Sequence, residues 1–391
     1  GYTIDGASNG YGVYLSGKNN NTIQDCVLTD WEDGVSLANS DNNTIINNTI
    51  NSNTNGVFLV SSTLNTVSNN TFNLNYRGVR LSSNSNNNTL YNNTVVFSTD
   101  AGVYLSSSAE HNLVDNCNLS YNKYGIYEYD KSYNTFSNND IISDSDSGIY
   151  LRDTHHETVS DNNIMNCGYG IRFVNVSNSE VTGNTVNNNN EGISMDALSS
   201  GNTLTSNTLC DNTVNDIADL DSNNGDDNKC DNWSNWDDTG ATGCTYSCYF
   251  SISNGGVCEA GDCNNIEKAL SDSRCSAEIK LNSSIINEGT TCINNPASFT
   301  GKTLDCHGYT IDGTGTGYGV FMNNRENNTV RNCVFTDWMH GVYLNNSGNN
   351  TINNNTLASN SQSGIYLYYS DNNTVSGNNA VSYTHLTLPT N

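Results

Sequence analysis

A glycine followed by valine or isoleucine, a variable residue and usually leucine returns along this chain at Gly12, Gly34, Gly56, Gly78, Gly102, Gly125, Gly148, Gly170 and Gly192, 22 to 24 residues apart. It returns again at Gly319, Gly341 and Gly364. A fixed period of this length means stacked repeats, none of which can bury its apolar side alone. A second motif lies between the glycines, Asn-Asn-Thr followed by an aliphatic residue, as in Asn42-Asn43-Thr44-Ile45 and Asn87-Asn88-Thr89-Leu90. A third follows about five residues later, as in Asn48-Thr49-Ile50 and Asn93-Thr94-Val95. Each segment is too short for a helix and is rich in β-branched residues. Three such segments per period make one coil of an all-β, right-handed, single-stranded parallel β-helix. A leucine-rich repeat has a similar period, but it needs one strand and a leucine-rich consensus per repeat.

Within Gly12-Val13-Tyr14-Leu15, period-two alternation turns Val13 and Leu15 inward and Tyr14 outward. Asparagines stacked at the turns can bond one another from coil to coil. The recurring glycines are expected to supply turn dihedrals that other residues resist.

The sequence GYTIDG opens the chain and reappears at residues 308–313, and the offset of 307 then holds for about 50 residues. A large module is therefore duplicated. Thr303-Leu304-Asp305-Cys306-His307 precedes the second copy and nothing precedes the first, so the first is expected to be truncated at its N-terminus. The expected organisation is a first module at 1–220, a cysteine-rich linker or cap at 221–288, a second module at 289–380, and a non-native-looking tail at 381–391.

The period is lost between about 211 and 300. In or beside that stretch lie Cys210, Cys230, Cys244, Cys248, Cys258, Cys263, Cys275, Cys292 and Cys306, nine of the 13 cysteines. Clustered cysteine in a chain otherwise poor in it points to disulfides and an oxidising compartment. Zinc is the rival reading, on Cys244-x₃-Cys248 and Cys258-x₄-Cys263. Cys26, Cys117 and Cys333 share one column of the coil and are expected as core thiols.

Only 35% of the chain is hydrophobic and 14% is charged. Such a composition often means disorder, but regular apolar spacing argues for a folded array. A net charge of −26 repels phosphate backbones and excludes nucleic acid as a natural partner. Acidic polysaccharides would be repelled as well unless a metal bridged the charges. No run of about 18 apolar residues exists, so no membrane insertion is expected from this chain.

The outward column of the glycine-containing strand reads Tyr14, Ser36, Phe58, Arg80, Tyr104, Tyr127, Tyr150, Arg172 and Ser194. Aromatic rings suit the apolar faces of sugars, and arginine suits their hydroxyls and carboxylates. Tyr14, Phe58, Arg80, Tyr104, Tyr127, Tyr150 and Arg172 are therefore the candidate carbohydrate contacts; the alternative is that tyrosine is simply a good exposed strand residue. Catalysis would need converging carboxylates and cations, for which Asp100, Lys123, Asp146 and Arg152 are the candidates. Asp219, Asp221, Asn223, Asp226 and Asp227 resemble a Ca²⁺ loop with its glycine one place late. His155 and His156 are candidate transition-metal ligands.

The coil pattern, as in Gly148-Ile149-Tyr150-Leu151 and Asn372-Asn373-Thr374-Val375, resembles the NosD-type periplasmic β-helix family and the broader β-helix repeat proteins of carbohydrate-binding and sugar-hydrolase type. The opening Leu304-Asp305-Cys306-His307-Gly308-Tyr309-Thr310-Ile311-Asp312-Gly313 resembles first coils of large β-helix surface proteins from archaea and environmental microbes. The resemblance covers roughly 1–220 and 300–380. It implies polysaccharide binding and, in some members, copper delivery, though no copper motif is matched residue by residue. Pectin-degrading relatives would show Asn-Thr-Asp, Asp-Asp, Gly-His-Gly and Arg-Ile-Lys elements, and none stands on a coil here. The expectation is a non-catalytic extracellular, cell-surface or periplasmic protein that binds polysaccharide or a cell-envelope glycan. A polysaccharide lyase, hydrolase or epimerase is the alternative, and a structural envelope spacer the third reading.

Overall fold

The computed structural model describes residues 3–130, 133–253 and 255–381. They form two compact units, residues 1–248 and 249–391. The tail from residue 382 lies outside the described residues.

Unit 1 is a parallel β-helix. One sheet holds eleven parallel strands, beginning with Tyr11–Ser16, Asp33–Ala38 and Asn55–Val60 and ending with Asn215–Asp219 and Trp233–Ser234. A second holds ten short strands, from Thr22–Gln24 to Asn224–Asp226. The third side is a five-stranded and a three-stranded run, joined by isolated bridges through Asn118. Register never slips: Val35, Val57, Val79, Val103, Ile126, Ile149 and Ile171 follow one another in a fully buried column. Burying these apolar columns holds the coils together, at roughly 25 cal/mol per Å² removed from water.

Asparagine ladders line the inside of the turns. The Oδ1 of Asn70 accepts from both the backbone N–H and the Nδ2 of Asn48, at 2.9 and 3.0 Å. Asn70 in turn donates to Asn93 of the next coil and to the carbonyl of Ile45. Each buried amide is thus satisfied by its neighbours. Outside the ladder, turn residues such as Asn42, Asn87, Asp161 and Asn178 hold a φ of 54° to 58°. Asparagine and aspartate tolerate that left-handed region better than other side chains, so asparagine is abundant for two separate reasons.

The recurring glycines have a different cause from the one the sequence suggested. None of Gly34, Gly56, Gly78, Gly102, Gly125, Gly148 and Gly170 has a positive φ. A Cβ at Gly56 would sit against the Gly78 carbonyl and the Phe72 ring, and a Cβ at Gly148 would meet the Gly170 carbonyl and Ile164. The glycine is needed for close approach between coils.

Three ladders of unit 1 end on buried aspartates. Asn223 donates to Asp219, and Asn212 to Asp216. Asp238 accepts from Asn228 N and Nδ2, Trp236 Nε1, and Thr245 N and Oγ1. A carboxylate accepts without donating, so it closes a row of donors. Disulfides Cys210–Cys248 and Cys230–Cys244 tie this end of the unit.

Unit 2 begins with a strand pair and the helix Cys263–Ser271, whose Ile266, Ala269 and Leu270 enter its core. Asp262 caps the helix by accepting from Asn265 N. The buried Lys302 ammonium donates to the carbonyls of Leu270 and Asp272 at the other end, both at 2.7 Å. Coils then stack through Tyr318–Asn323, His340–Asn345 and Ser363–Tyr368. Cys258–Cys275, Cys263–Cys292 and Cys306–Cys333 are disulfides. Cys333 is therefore not the core thiol that its column implied, because Cys306 lies within reach one coil before it. Cys244 and Cys248, like Cys258 and Cys263, bond to other cysteines and form no zinc pairs.

The duplication extends to detail. Trp31 Nε1 donates to the Ile4 carbonyl at 3.0 Å, and Trp338 Nε1 donates to the Ile311 carbonyl at 2.9 Å. Gly6 and Gly313 leave room for these two indoles.

Candidate functional site

The outer face of the eleven-stranded sheet carries the candidate sugar contacts in one unbroken register. Phe58 pairs with Arg80, Arg80 with Tyr104, Tyr104 with Tyr127, Tyr127 with Tyr150, and Tyr150 with Arg172. Parallel strands lie about 4.8 Å apart, so neighbouring rings touch. The Tyr127 and Tyr150 rings stack with centroids 5.0 Å apart and planes 10° from parallel. Tyr104 meets Tyr127 edge-on at 5.2 Å, and Tyr124 leans on both Tyr127 and Tyr150. Tyr14 stands apart at the first coil, stacked on Tyr11 at 4.6 Å.

Cations lie on these rings. The Arg80 guanidinium is 4.5 Å from the Phe58 centroid, and Arg77 is 3.8 Å from that of Tyr104. Arg172 rests on Tyr150 and Tyr169, and Lys123 on Tyr124. Arg77 is bound to Asp100 at 2.7 Å, and Arg172 approaches Asp146 at 4.0 Å. Arg80 and Lys123 make no ion pair among the described residues, and burial together with Arg77 lowers the pKa of Arg80. Burial raises the pKa of Tyr127, with Tyr104 and Tyr150 adding to the shift.

Of the catalytic candidates, Asp100, Lys123 and Asp146 occupy one column on three successive coils, each just before a strand. Lys123 is held above the ordinary lysine value, first by its bond to Tyr124 and then by the field of Asp100 and Asp146. Arg152 ends the strand Ser147–Arg152, pairs with Asp153 at 3.3 Å and lies over Tyr129. Arg152 is thus at the opposite end of the strand from the acidic column. Both carboxylates of the column already face arginines.

Of the calcium candidates, Asp219, Asp221 and Asn223 lie together. Asp219 accepts from Asp221 N, Asn223 N and Asn223 Nδ2, and Asn223 Oδ1 accepts from Asn202. Their oxygens close a ladder, while Asp226 and Asp227 lie beyond it, on and just after the strand Asn224–Asp226. His155 and His156 do meet, with Nδ1 atoms 3.0 Å apart and the Tyr133 ring against both. Among the described residues no three or more His, Cys, Asp or Glu side chains gather as a metal group.

One constellation was not anticipated. Glu128 fills the inward position held by Leu105 and Leu151 in adjacent coils, and Glu157 fills a ladder position. Both are 1% exposed. Asn134 donates its backbone N–H to Glu157 and its Nδ2 to Glu128. The signal was present in the sequence, since Glu128 breaks an otherwise apolar column.

Fold and face together define a parallel β-helix repeat protein with an aromatic and cationic outer strip. The model of the family described as "Periplasmic copper-binding protein (NosD)" matches residues 2–145, 94–248 and 263–388. The chain belongs to that family. No curated protein matches. Among solved structures, the chain is similar to the A-module of the Azotobacter vinelandii mannuronan C-5 epimerase AlgE6, at 16% identity and TM-score 0.47, over 59% of this chain and 64% of that one. It is similar to the bacteriophage phi29 gene product 12, at 11% identity and TM-score 0.47, over 92% of this chain and 52% of that one. It is also similar to the periplasmic alginate epimerase AlgG, at 11% identity and TM-score 0.32, over 92% and 76%. The chain spans less than two thirds of the first two. The copper of the family description meets two imidazole nitrogens here and no third ligand among the described residues, which is too few for a copper centre. Five disulfides match the periplasmic description, because such bonds persist where the medium is oxidising.

Proposed function

We propose that the outer strip of unit 1 is a non-catalytic binding surface for polysaccharide or cell-envelope glycan, on a protein working at the cell surface or in the periplasm. The unbroken run Phe58–Arg80–Tyr104–Tyr127–Tyr150–Arg172, one residue per coil, carries this reading. The rings line a strip along which an extended sugar can pack, and guanidinium groups lie where hydroxyls and carboxylates can be bonded. The alternating row of Asp100, Lys123 and Asp146 favours a second reading, a polysaccharide-active enzyme.

Size-exclusion chromatography of a polysaccharide panel, with and without the full chain, separates these readings. Intact polymer co-eluting with protein, and lost when Tyr104, Tyr127 and Tyr150 are changed to Ala, supports binding. Shortened polymer establishes the enzyme. Intact polymer eluting apart from the protein leaves an envelope spacer.

A further inference from the structure

Unit 2 carries a ring platform of its own, built on the same sheet position but of different chemistry. Phe321, Tyr343 and Tyr366 follow one another in register, with centroids 5.1 Å apart at both steps. A second row lies beside the first. Tyr318 stacks on His340 at 5.6 Å with planes 9° apart, and His340 stacks on Tyr366 at 4.8 Å. Tyr318 also meets Tyr343 edge-on at 5.1 Å.

The strands that carry these rings read YGVFMN, HGVYLN and SGIYLY, and contain no aspartate, glutamate, lysine or arginine. Their one titratable nitrogen base, His340, is 6% exposed, with a buried Nδ1 that meets no partner. Burial holds its pKa below the ordinary histidine value, so the imidazole is neutral at physiological pH. Asn323 and Asn345 end two successive strands in register, and their side-chain amides make no hydrogen bond among the described residues. Within these strands the face therefore offers stacked rings, tyrosine hydroxyls and a flanking row of amides without a charged side chain, and the Arg325 guanidinium just beyond Asn323 is engaged with the Asn295 carbonyl.

A surface of this kind discriminates by what it lacks. An anionic sugar would leave its carboxylate over strands that carry no cation, beside an Arg325 guanidinium already bonded to a carbonyl, at the cost of desolvating a poorly paired charge. A neutral sugar loses nothing by leaving water there, because its C–H faces lie on the rings and its hydroxyls find amides and phenols. The rings advance by one coil at a time, close to the length of one pyranose in an extended chain. We infer that the Tyr318–Phe321–His340–Tyr343–Tyr366 face is a second glycan site, specific for an uncharged, extended polysaccharide. This site goes beyond the unit 1 reading and does not depend on it.

The test is isothermal titration of the full chain with neutral hexasaccharides of β-1,4-glucan, β-1,4-mannan and β-1,3-glucan, at low and high salt. At least one should bind, with an affinity unchanged between 20 and 500 mM NaCl, because no ion pair contributes. Tyr343→Ala with Tyr366→Ala should weaken that binding by about tenfold or more, and Asn345→Ala should weaken it less. Tyr91→Ala, an exposed tyrosine on the ten-stranded sheet of unit 1, should leave it unchanged. Circular dichroism confirms that each variant is folded. Absence of binding to all three oligomers overturns the inference. So does binding that survives the Tyr343 and Tyr366 changes, or that falls with salt. Concentration-dependent dimerisation abolished by the same two changes would assign the face to a second copy of the chain instead.

Discussion

Glu128 and Glu157, on successive coils, enclose Asn134 between them inside the coil. Glu128 Oε1 accepts from the Asn134 amide at 2.6 Å, and Glu157 Oε2 accepts from its backbone N–H at 2.7 Å. Each carboxyl keeps one buried oxygen that meets no N–H or hydroxyl donor. Two ionised carboxylates could not share such a space, so one holds a proton and donates it to the other.

This pair sets a pH dependence. Burial pushes Glu128 up from its ordinary 4.5 to about 8. Burial and the neighbouring Glu128 raise Glu157 as well. Above pH 4.5 the unfolded chain has lost protons that the folded chain still holds, so stability falls as pH rises from about 4.5 through the raised values of both folded carboxyls. Glu157→Gln supplies a permanent donor to Glu128 and keeps an acceptor for Asn134. It should raise stability at pH 8 by about 1–3 kcal/mol and flatten the pH profile, as read by urea melts at pH 5 and pH 8. A variant that melts earlier at pH 8 would refute the shared proton.

Asp238 collects five donors at the end of a ladder. Asp238→Ala leaves them without their acceptor, and should cost about 1–3 kcal/mol for each donor that finds no other partner. Asp238→Asn keeps one acceptor and should cost less. Denaturant titration of both variants measures the difference, and equal losses would mean that the carboxylate does not close the ladder.

Thiol chemistry should separate the cysteines. Cys26, Cys117 and Cys167 carry no disulfide. Burial raises Cys117 to about 11 and Cys167 to about 12, so neither should react with a thiol reagent in the native state. Denaturation without reductant should release three titratable thiols among the thirteen cysteines. Cys333→Ser opens a 27-residue loop and should cost about 2–4 kcal/mol. More than three thiols would contradict the pairing.

Gly78 lies against Val95 and the Gly102 carbonyl of the next coil. Gly78→Ala should destabilise unit 1 by about 1–3 kcal/mol through overpacking, although its backbone conformation suits alanine. A neutral result in thermal melts would return the glycine to a purely conformational role.

The coil, its register and the outward column were legible because a stacked array repeats its physics every period. Val13 and Leu15 needed only alternation to be placed. The disulfides were legible as a class but not as pairs, since Cys333 shares its column with the free Cys26 and Cys117 and differs only in having Cys306 one coil earlier. The role of the glycines was misread because close approach between coils leaves no mark that distinguishes it from a turn requirement. Asp219 ends a ladder, and in sequence an aspartate in that role has the same asparagine and glycine neighbours as one in a calcium loop. In unit 2 the same outward position after Gly319, Gly341 and Gly364 gives Phe321, Tyr343 and Tyr366, whereas the second row of Tyr318 and His340 is formed only when strands are laid side by side.

The ladders of unit 1 run one way, each ladder backbone N–H pointing to the side chain of the coil that follows while the amide also reaches back to a carbonyl of the coil before. The rows pass Asp144 and Glu157 until Asp219, Asp216 or Asp238 ends them. Such a column has a head and a terminator, like a written line with its full stop. Successive steps of 21 to 24 residues make the same bond without distortion. Whole coils can therefore be gained or lost from the interior during evolution without disturbing either end. A part-coil cannot, because it would set every donor beyond it opposite the wrong acceptor.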